Sequence, residues 1–267
     1  MRNPFNLFLF ILMLLAMISS FTPKNINFIQ SKNSDLDYNY ATSLIEPNLD
    51  GKKFVSSVIK INFEVDPNTP QRRITDMSTG FSVYYDKKED VSYILSNNHF
   101  CIEAINSILP GHLFYENSQT IMSQKIQFNS GEIEIIDTDP SKDLCLLSAE
   151  GFVKPVEFVS DNYKIQQMDL VVTVGAPGGI FPIIRKTFIS NFHKRDAFPD
   201  DMVLGENLLL LSDSVFPGQS GSPLFNLHGK VIGIVCMNLS NNGQVIYGGL
   251  AIPYQDIKGF LKKNEIY

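Results

Sequence analysis

The 267-residue chain is 44% apolar and 19% charged, with a formal net charge of −6. That balance excludes a disordered chain, and the length suffices for a full core without metal or disulfide staples. The acidic excess argues against a broad nucleic-acid-binding face, so no nucleic-acid partner is expected.

In chain order, the first feature is a run of 21 uncharged residues between Arg2 and Lys24, with Phe5–Phe21 reading FNLFLFILMLLAMISSF. About 20 such residues in a helix span the roughly 30 Å of a bilayer core. The small pair Ser19-Ser20 behind Arg2 also fits a cleavable signal peptide. Residues 1–21 are therefore read as a signal peptide or a retained membrane anchor, with a buried helix of a soluble protein as the plain alternative. Either export reading places the remainder outside the cytoplasm: periplasmic, secreted, or held at the membrane. Cleavage after Ser20 leaves 21 basic against 28 acidic residues, a charge of −7. Residues 22–53, rich in Asn, Ser, Asp and Lys, read as a polar tether.

From residue 54 the texture changes. Ten runs rich in Val, Ile, Leu, Phe and Tyr alternate with turn residues. They are Phe54–Val65, Gly80–Tyr85, Ser92–Leu95, Lys125–Phe128, Glu132–Ile136, Leu144–Leu147, Leu170–Val174, Leu208–Leu211, Lys230–Val235 and Val245–Ala251. This pattern predicts an all-β barrel or sandwich over residues 54–267. Helical spacing occurs only at Tyr254–Lys263, where Ile257, Phe260 and Leu261 share a face behind Pro253. The three cysteines are too few for a disulfide framework. Lying in apolar runs, Cys101, Cys145 and Cys236 are expected as free buried thiols, one bridge plus one thiol being the other arrangement.

The segment Pro217-Gly218-Gln219-Ser220-Gly221-Ser222-Pro223 carries the chemistry. Glycines on both sides of Ser220 allow a tight turn that exposes its hydroxyl and aims the Gly218 and Ser220 amides at one spot, as a developing oxyanion requires. A serine nucleophile needs a base, and His99 closes the strand-like run Tyr93–Asn98, whereas the other three histidines sit in polar settings. The base needs a carboxylate to fix its tautomer. Asp143, heading the apolar run Leu144–Leu147, is the candidate, because a charge abutting a buried strand is costly unless paired. Asp137 and Asp139, in the preceding turn, read as solvated.

The order His99, Asp143, Ser220 on an all-β chain resembles the trypsin-like serine proteases, and most closely their bacterial high-temperature-requirement (HtrA/Deg-type) and glutamyl-endopeptidase branches. The matching pieces fall in family order: Ser78-Thr79-Gly80-Phe81, Leu95–His99, Asp143–Leu147, Val174–Gly179, the Ser220 segment, Gly229–Ile234 and Gly249–Pro253. The resemblance implies two six-stranded antiparallel β-barrels with a short C-terminal helix and the site between the barrels. It implies a serine endopeptidase acting on exported or periplasmic proteins or peptides, without metal or cofactor. Ser220 would be the nucleophile, His99 the general base, Asp143 its orienting partner, and the Gly218 and Ser220 amides the oxyanion hole. Gln219 stands where animal zymogens carry the acid that pairs with a freed N-terminus, so activation by clipping is not required. Cys236 stands where the family usually places a hydroxyl supporting the catalytic carboxylate. The upstream disulfide partner of animal members is missing, so Cys101 is expected to be free. Ser214 would form the floor of the primary pocket and Met237, Asn238 and Gly248 or Gly249 its walls, favouring an apolar residue before the scissile bond. Val235 replaces the histidine that gives glutamyl specificity. The chain ends at Tyr267, behind the terminal helix, so no PDZ domain is expected. Two other readings are a protease fold kept as a binding scaffold, and metal-dependent hydrolysis, for which zinc-ligand spacing is lacking.

Overall fold

The computed structural model describes residues 51–65, 73–106, 111–122, 125–194, 207–241 and 244–266. All belong to the second of the chain's two units, Asp35–Tyr267. The expected export segment, residues 1–21, and residues 22–50 of the expected tether lie outside the described residues.

A short helix α1 (Gly51–Val55) leads into β1 (Val58–Val65), so the run from Phe54 is a helix end followed by a strand rather than one strand. The first barrel continues with β2 (Arg73–Asp86), β3 (Val91–Ser96), helix α2 (Asn98–Asn106), β4 (Gly111–Met122), β5 (Lys125–Asp139) and β6 (Leu144–Glu150). It closes in the order β1-β2-β3-β6-β5-β4. The second half holds β7 (Glu157–Phe158), β8 (Leu170–Gly175), β9 (Ile183–Lys194), β10 (Asn207–Leu211), β11 (Pro223–Asn226), β12 (Lys230–Asn241), β13 (Gln244–Pro253) and helix α3 (Tyr254–Lys263). Its strands run β11-β8-β9-β10-β13-β12, and the β11–β12 pairing closes that ring, with β7 added parallel to β12. The all-β two-barrel architecture therefore holds, with β7 as an addition. Lys125–Phe128 and Glu132–Ile136 merge into β5. The polar composition of β4 and the Pro at the head of β11 explain why neither stands out as an apolar run.

Three apolar clusters explain the sequence texture. One fills the first barrel (Ile59, Ile61, Phe63, Ile94, Leu147 and neighbours) and another the second (Val171, Leu209, Leu211, Ile232, Val235 and neighbours). The third lies between the barrels and takes the alternate residues of the same strands: Leu144 and Leu146 from β6, Val172 and Val174 from β8, Leu208 and Leu210 from β10. Strands buried on both faces read as continuous apolar runs instead of alternating ones. Phe54 brings α1 into this middle layer, edge-on to Phe225 at 5.2 Å. Burying such a ring contributes about 1.5–3 kcal/mol. The predicted α3 face, Ile257, Phe260 and Leu261, packs on the same layer, with Asp256 in its first turn and Lys262 and Lys263 in its last, matching the helix dipole.

The expectation of three free thiols is corrected. Cys101 and Cys145 form a disulfide, with Cα atoms 6.6 Å apart, and Cys236 is the free, buried thiol. Spacing gives no hint, because the pairing arises where α2 packs on β6 across the barrel wall. Among the described residues, no helix is long and apolar enough to cross a membrane.

Candidate active site

His99 lies in the first turn of α2, not at a strand end, because β3 stops at Ser96 and the chain turns into the helix at Asn98. Its Nδ1 is 2.9 Å from Asp143 Oδ2 and 3.1 Å from Oδ1, and its backbone N–H donates to Oδ1 at 2.8 Å. Asp143 is 4% exposed, so these hydrogen bonds from His99 take the place of water at its carboxylate. A tight turn presents it: Asp139 Oδ1 accepts from Ser141 N and Oγ, and Asp143 takes a left-handed φ of 53°, which Asp tolerates better than most residues. Asn97 Nδ2 donates to the Asp143 carbonyl at 3.0 Å, tying the end of β3 to the start of β6. The Cys101–Cys145 bridge joins the same two segments, each cysteine two residues beyond its catalytic candidate. Neither neighbouring acid is simply solvated. Asp139 organises the turn, and Asp137 accepts from Lys263 Nζ and Asn264 Nδ2 at the end of α3. The Lys263 hydrogen bond, helped by that of Asn264, holds the Asp137 carboxyl below the usual carboxylate range.

Ser220 sits in the loop between β10 and β11. Its hydroxyl donates to the Cys236 carbonyl at 2.9 Å. The Cys236 thiol donates to Leu250 O at 3.2 Å rather than to Asp143. Burial first, then the nearby Asp143 charge, pushes that thiol well above its ordinary pKa, so it stays protonated.

The carbonyls around Ser220 are all engaged. Phe216 O accepts from Gln219 N, Pro217 O from Gly178 N, and Gln219 O from Ser222 N. Gly218 O accepts from Thr79 Oγ1 at 2.7 Å, and Ser220 O from Thr79 N at 2.8 Å and Ser78 Oγ at 2.7 Å. In a trans peptide the N–H points opposite the C=O. Fixing Pro217 O and Gln219 O therefore fixes the directions of the Gly218 and Ser220 N–H groups. Among the described residues, neither amide donates to a protein acceptor. Glycine is required at two positions here. Gly218 has φ 89°, and at Gly221 (φ 81°) a Cβ would lie 1.8 Å from Thr79 O. The first-barrel pair Ser78-Thr79 thus clamps the second-barrel loop, a role that the sequence reading did not assign to them.

The pocket residues divide. Ser214 lines a cavity of about 10 Å3 together with Arg185, Gln219, Thr173 and Val235. Met237 packs on the middle apolar layer, Asn238 bonds Val215 N and O at 2.6 and 2.7 Å, and buried Gly248 lies against Leu211 O. Those three do not line that cavity. Arg185, unassigned by the sequence, does. Its Nη1 donates to Ser214 O at 3.0 Å and Gln219 Oε1 at 2.9 Å, and Nη2 lies 3.8 Å from Asp213 Oδ2. Among the described residues, no group of three or more His, Cys, Asp or Glu side chains could hold a metal ion.

Comparison with known proteins agrees with the two-barrel fold. A probable periplasmic serine endoprotease, DegP-like, of Pseudomonas putida (strain GB-1) is 27% identical over 210 residues, 76% of this chain and 39% of the relative. The serine protease Do-like HtrB of Bacillus subtilis (strain 168) is 28% identical over 183 residues, 66% of this chain and 36% of the relative. The chain thus spans under two-fifths of the length of these curated relatives. The trypsin-like peptidase domain matches residues 78–234, more than half of the sequence and including His99, Asp143 and Ser220; the chain belongs to that family.

Proposed function

We propose that this chain is a serine endopeptidase working through His99, Asp143 and Ser220 on exported proteins or peptides. The observation that carries the reading is the buried Asp143 carboxylate bonded to His99 Nδ1 at 2.9 Å. With Nδ1–H held there, Nε2 is the basic nitrogen, as proton abstraction from a serine requires. Ser220 Oγ attacks the peptide carbonyl while its proton passes to His99 Nε2. The C–N bond then breaks as that proton goes to the leaving amine, giving an acyl-Ser220 ester. Water, deprotonated by His99, hydrolyses the ester and restores the serine. The Gly218 and Ser220 amides stabilise the oxyanion in both halves. At rest the Ser220 hydroxyl donates to Cys236 O, so attack begins with reorientation of this one proton toward His99.

For specificity we keep an uncharged, apolar residue before the scissile bond. Arg185 and Asp213 lie side by side near Ser214 and offset each other, so this region offers neither a lone anion for Lys or Arg nor a lone cation for Glu. Export fits the uncharged N-terminal run, the relatives named periplasmic, and a disulfide that persists best in an oxidising compartment. An uncleaved residue 1–21 segment would add membrane attachment.

The test is labelling with a fluorophosphonate probe alongside a peptide panel varied before the cleaved bond. Wild-type protein should label and Ser220→Ala should not, with turnover falling ~10⁴–10⁶-fold. Undiminished labelling of Ser220→Ala, or an inert wild type, would overturn the reading. Efficient cleavage after Arg or Glu would refute the apolar preference.

A further inference from the structure

We propose that Arg185 is a positioning residue for the oxyanion loop, an internal strut that holds Gln219 and with it the two flanking amides. It deepens the acyl-transfer reading and rests on it only in its kinetic arm.

Arg185 projects from β9, opposite Thr173 of β8, far in sequence from the loop it touches. One nitrogen, Nη1, bonds two separate points of that loop, Ser214 O at 3.0 Å and Gln219 Oε1 at 2.9 Å. Gln219 Oε1 also accepts from Phe216 N at 2.8 Å, and the guanidinium carbon lies 5.1 Å from the centre of the Phe216 ring. A single cation therefore ties residues 214, 216 and 219 together. Gln219 is 2% exposed and lies between the two residues whose amides serve as oxyanion donors. With its side chain buried, loss of the guanidinium would leave Oε1 with the Phe216 N–H as its remaining partner.

Two physical points favour positioning over simple packing. A charged donor makes roughly twice as strong a hydrogen bond as a neutral one, and the planar guanidinium loses little freedom in making it. The cavity beside it is only about 10 Å3, at the lower limit for a single water, so little room is left between Arg185 and Gln219 for solvent to replace their bond. Gln219 cannot pair with a chain terminus as an acid would. Arg185 supplies from within the barrel the electrostatic tie that this position needs.

Donors that act on the oxyanion work in the transition state, so loss of the strut should appear in kcat and not in substrate binding. Arg185→Met should lower kcat about 10- to 100-fold, up to the cost of misplacing a reacting group by about 1 Å, with KM within about threefold of wild type. Gln219→Met should cause a similar loss, and the double variant should be no worse than either single one. Ethylguanidinium added to Arg185→Gly should recover part of the lost kcat, a rescue that a purely structural defect would not permit. If Arg185→Met does not fold, Arg185→Lys decides: it keeps the charge, but its ammonium ends one bond short of the Nη1 position that makes both bonds, so an intermediate kcat is expected. Independently of any activity, hydrogen exchange over residues 213–222 should accelerate in either variant while exchange in the first barrel is unchanged. Wild-type kcat in these variants, losses that multiply in the double variant, a change confined to KM, or unchanged exchange at 213–222 would each overturn the proposal. An inert wild type would instead count against the protease reading, and the exchange measurement would still decide the strut.

Discussion

Breaking the Cys101–Cys145 bridge tests how the hydrogen-bonded His99 and Asp143 are held together. The bridge spans 44 residues and joins the segment carrying His99 to the one carrying Asp143. Closing a loop of that length lowers the entropy of the unfolded chain by an amount equivalent to about 4 kcal/mol at 25 °C. For a domain of this size each kcal/mol moves the melting temperature by roughly 2–4 °C, so the reduced protein should melt about 8–16 °C lower. Thermal melts of oxidised and reduced wild type give the loop effect directly, because both retain the two sulfur atoms. Cys101→Ala/Cys145→Ala should fall further, since both side chains are fully buried and their removal leaves a void. Titration in denaturant without reductant should find one thiol, that of Cys236. Fluorophosphonate labelling of reduced protein should be slower, as the covalent link between the His99 and Asp143 segments is then gone. Three titratable thiols in unreduced protein, or reduced and oxidised melts within about 2 °C, would refute this reasoning.

Two further outcomes follow from the site and the helix that flanks it. Thr79→Val keeps the shape of the side chain but removes the hydroxyl that donates to Gly218 O and accepts from Ala176 N. Each buried backbone group left without its partner costs about 1–3 kcal/mol, so both stability and labelling rate should drop, and a variant with wild-type values in both would show the clamp to be dispensable. Asp137→Asn tests a pH effect. The folded protein holds the Asp137 carboxyl low, chiefly through its hydrogen bond to Lys263, so this stabilisation is present at neutral pH and lost as pH falls through the folded-state value. The same bond holds Lys263 up, so on the alkaline side the contribution is lost only as pH rises through the raised ammonium value. Asp137→Asn should therefore lose a small part of the stability gained between acid and neutral pH. High salt should shrink the difference, since the pair is partly solvated, and an unaltered pH–stability curve would count against it.

How much of this could be read from the chain depended on the range of each signal. Most of the strands, α3 and the position of Asp143 were legible because they rest on local patterns: apolar runs bounded by turn residues, a helical stripe, and a charge abutting a buried strand. The segment around Ser220, the proposed nucleophile, was legible because a tight turn that exposes a hydroxyl needs glycine within one or two residues. By contrast, α2 (NHFCIEAIN) carries no clean helical stripe and β4 (GHLFYENSQTIM) is mostly polar in composition, so neither announces itself in the sequence.

The chemistry of the protein was thus determined by sequence: which residue types are available, in what order, and with what turns to expose them. What holds that chemistry in place was decided only by tertiary structure. Thr79 reaches Gly218 across 139 residues, Arg185 reaches Gln219 across 34, and Cys101 meets Cys145 across 44. None of these spacings carries a period or a motif. Each contact is set by strand register and by the closing of two barrels against a shared apolar layer, which turn distant positions into neighbours and leave no local trace in the chain.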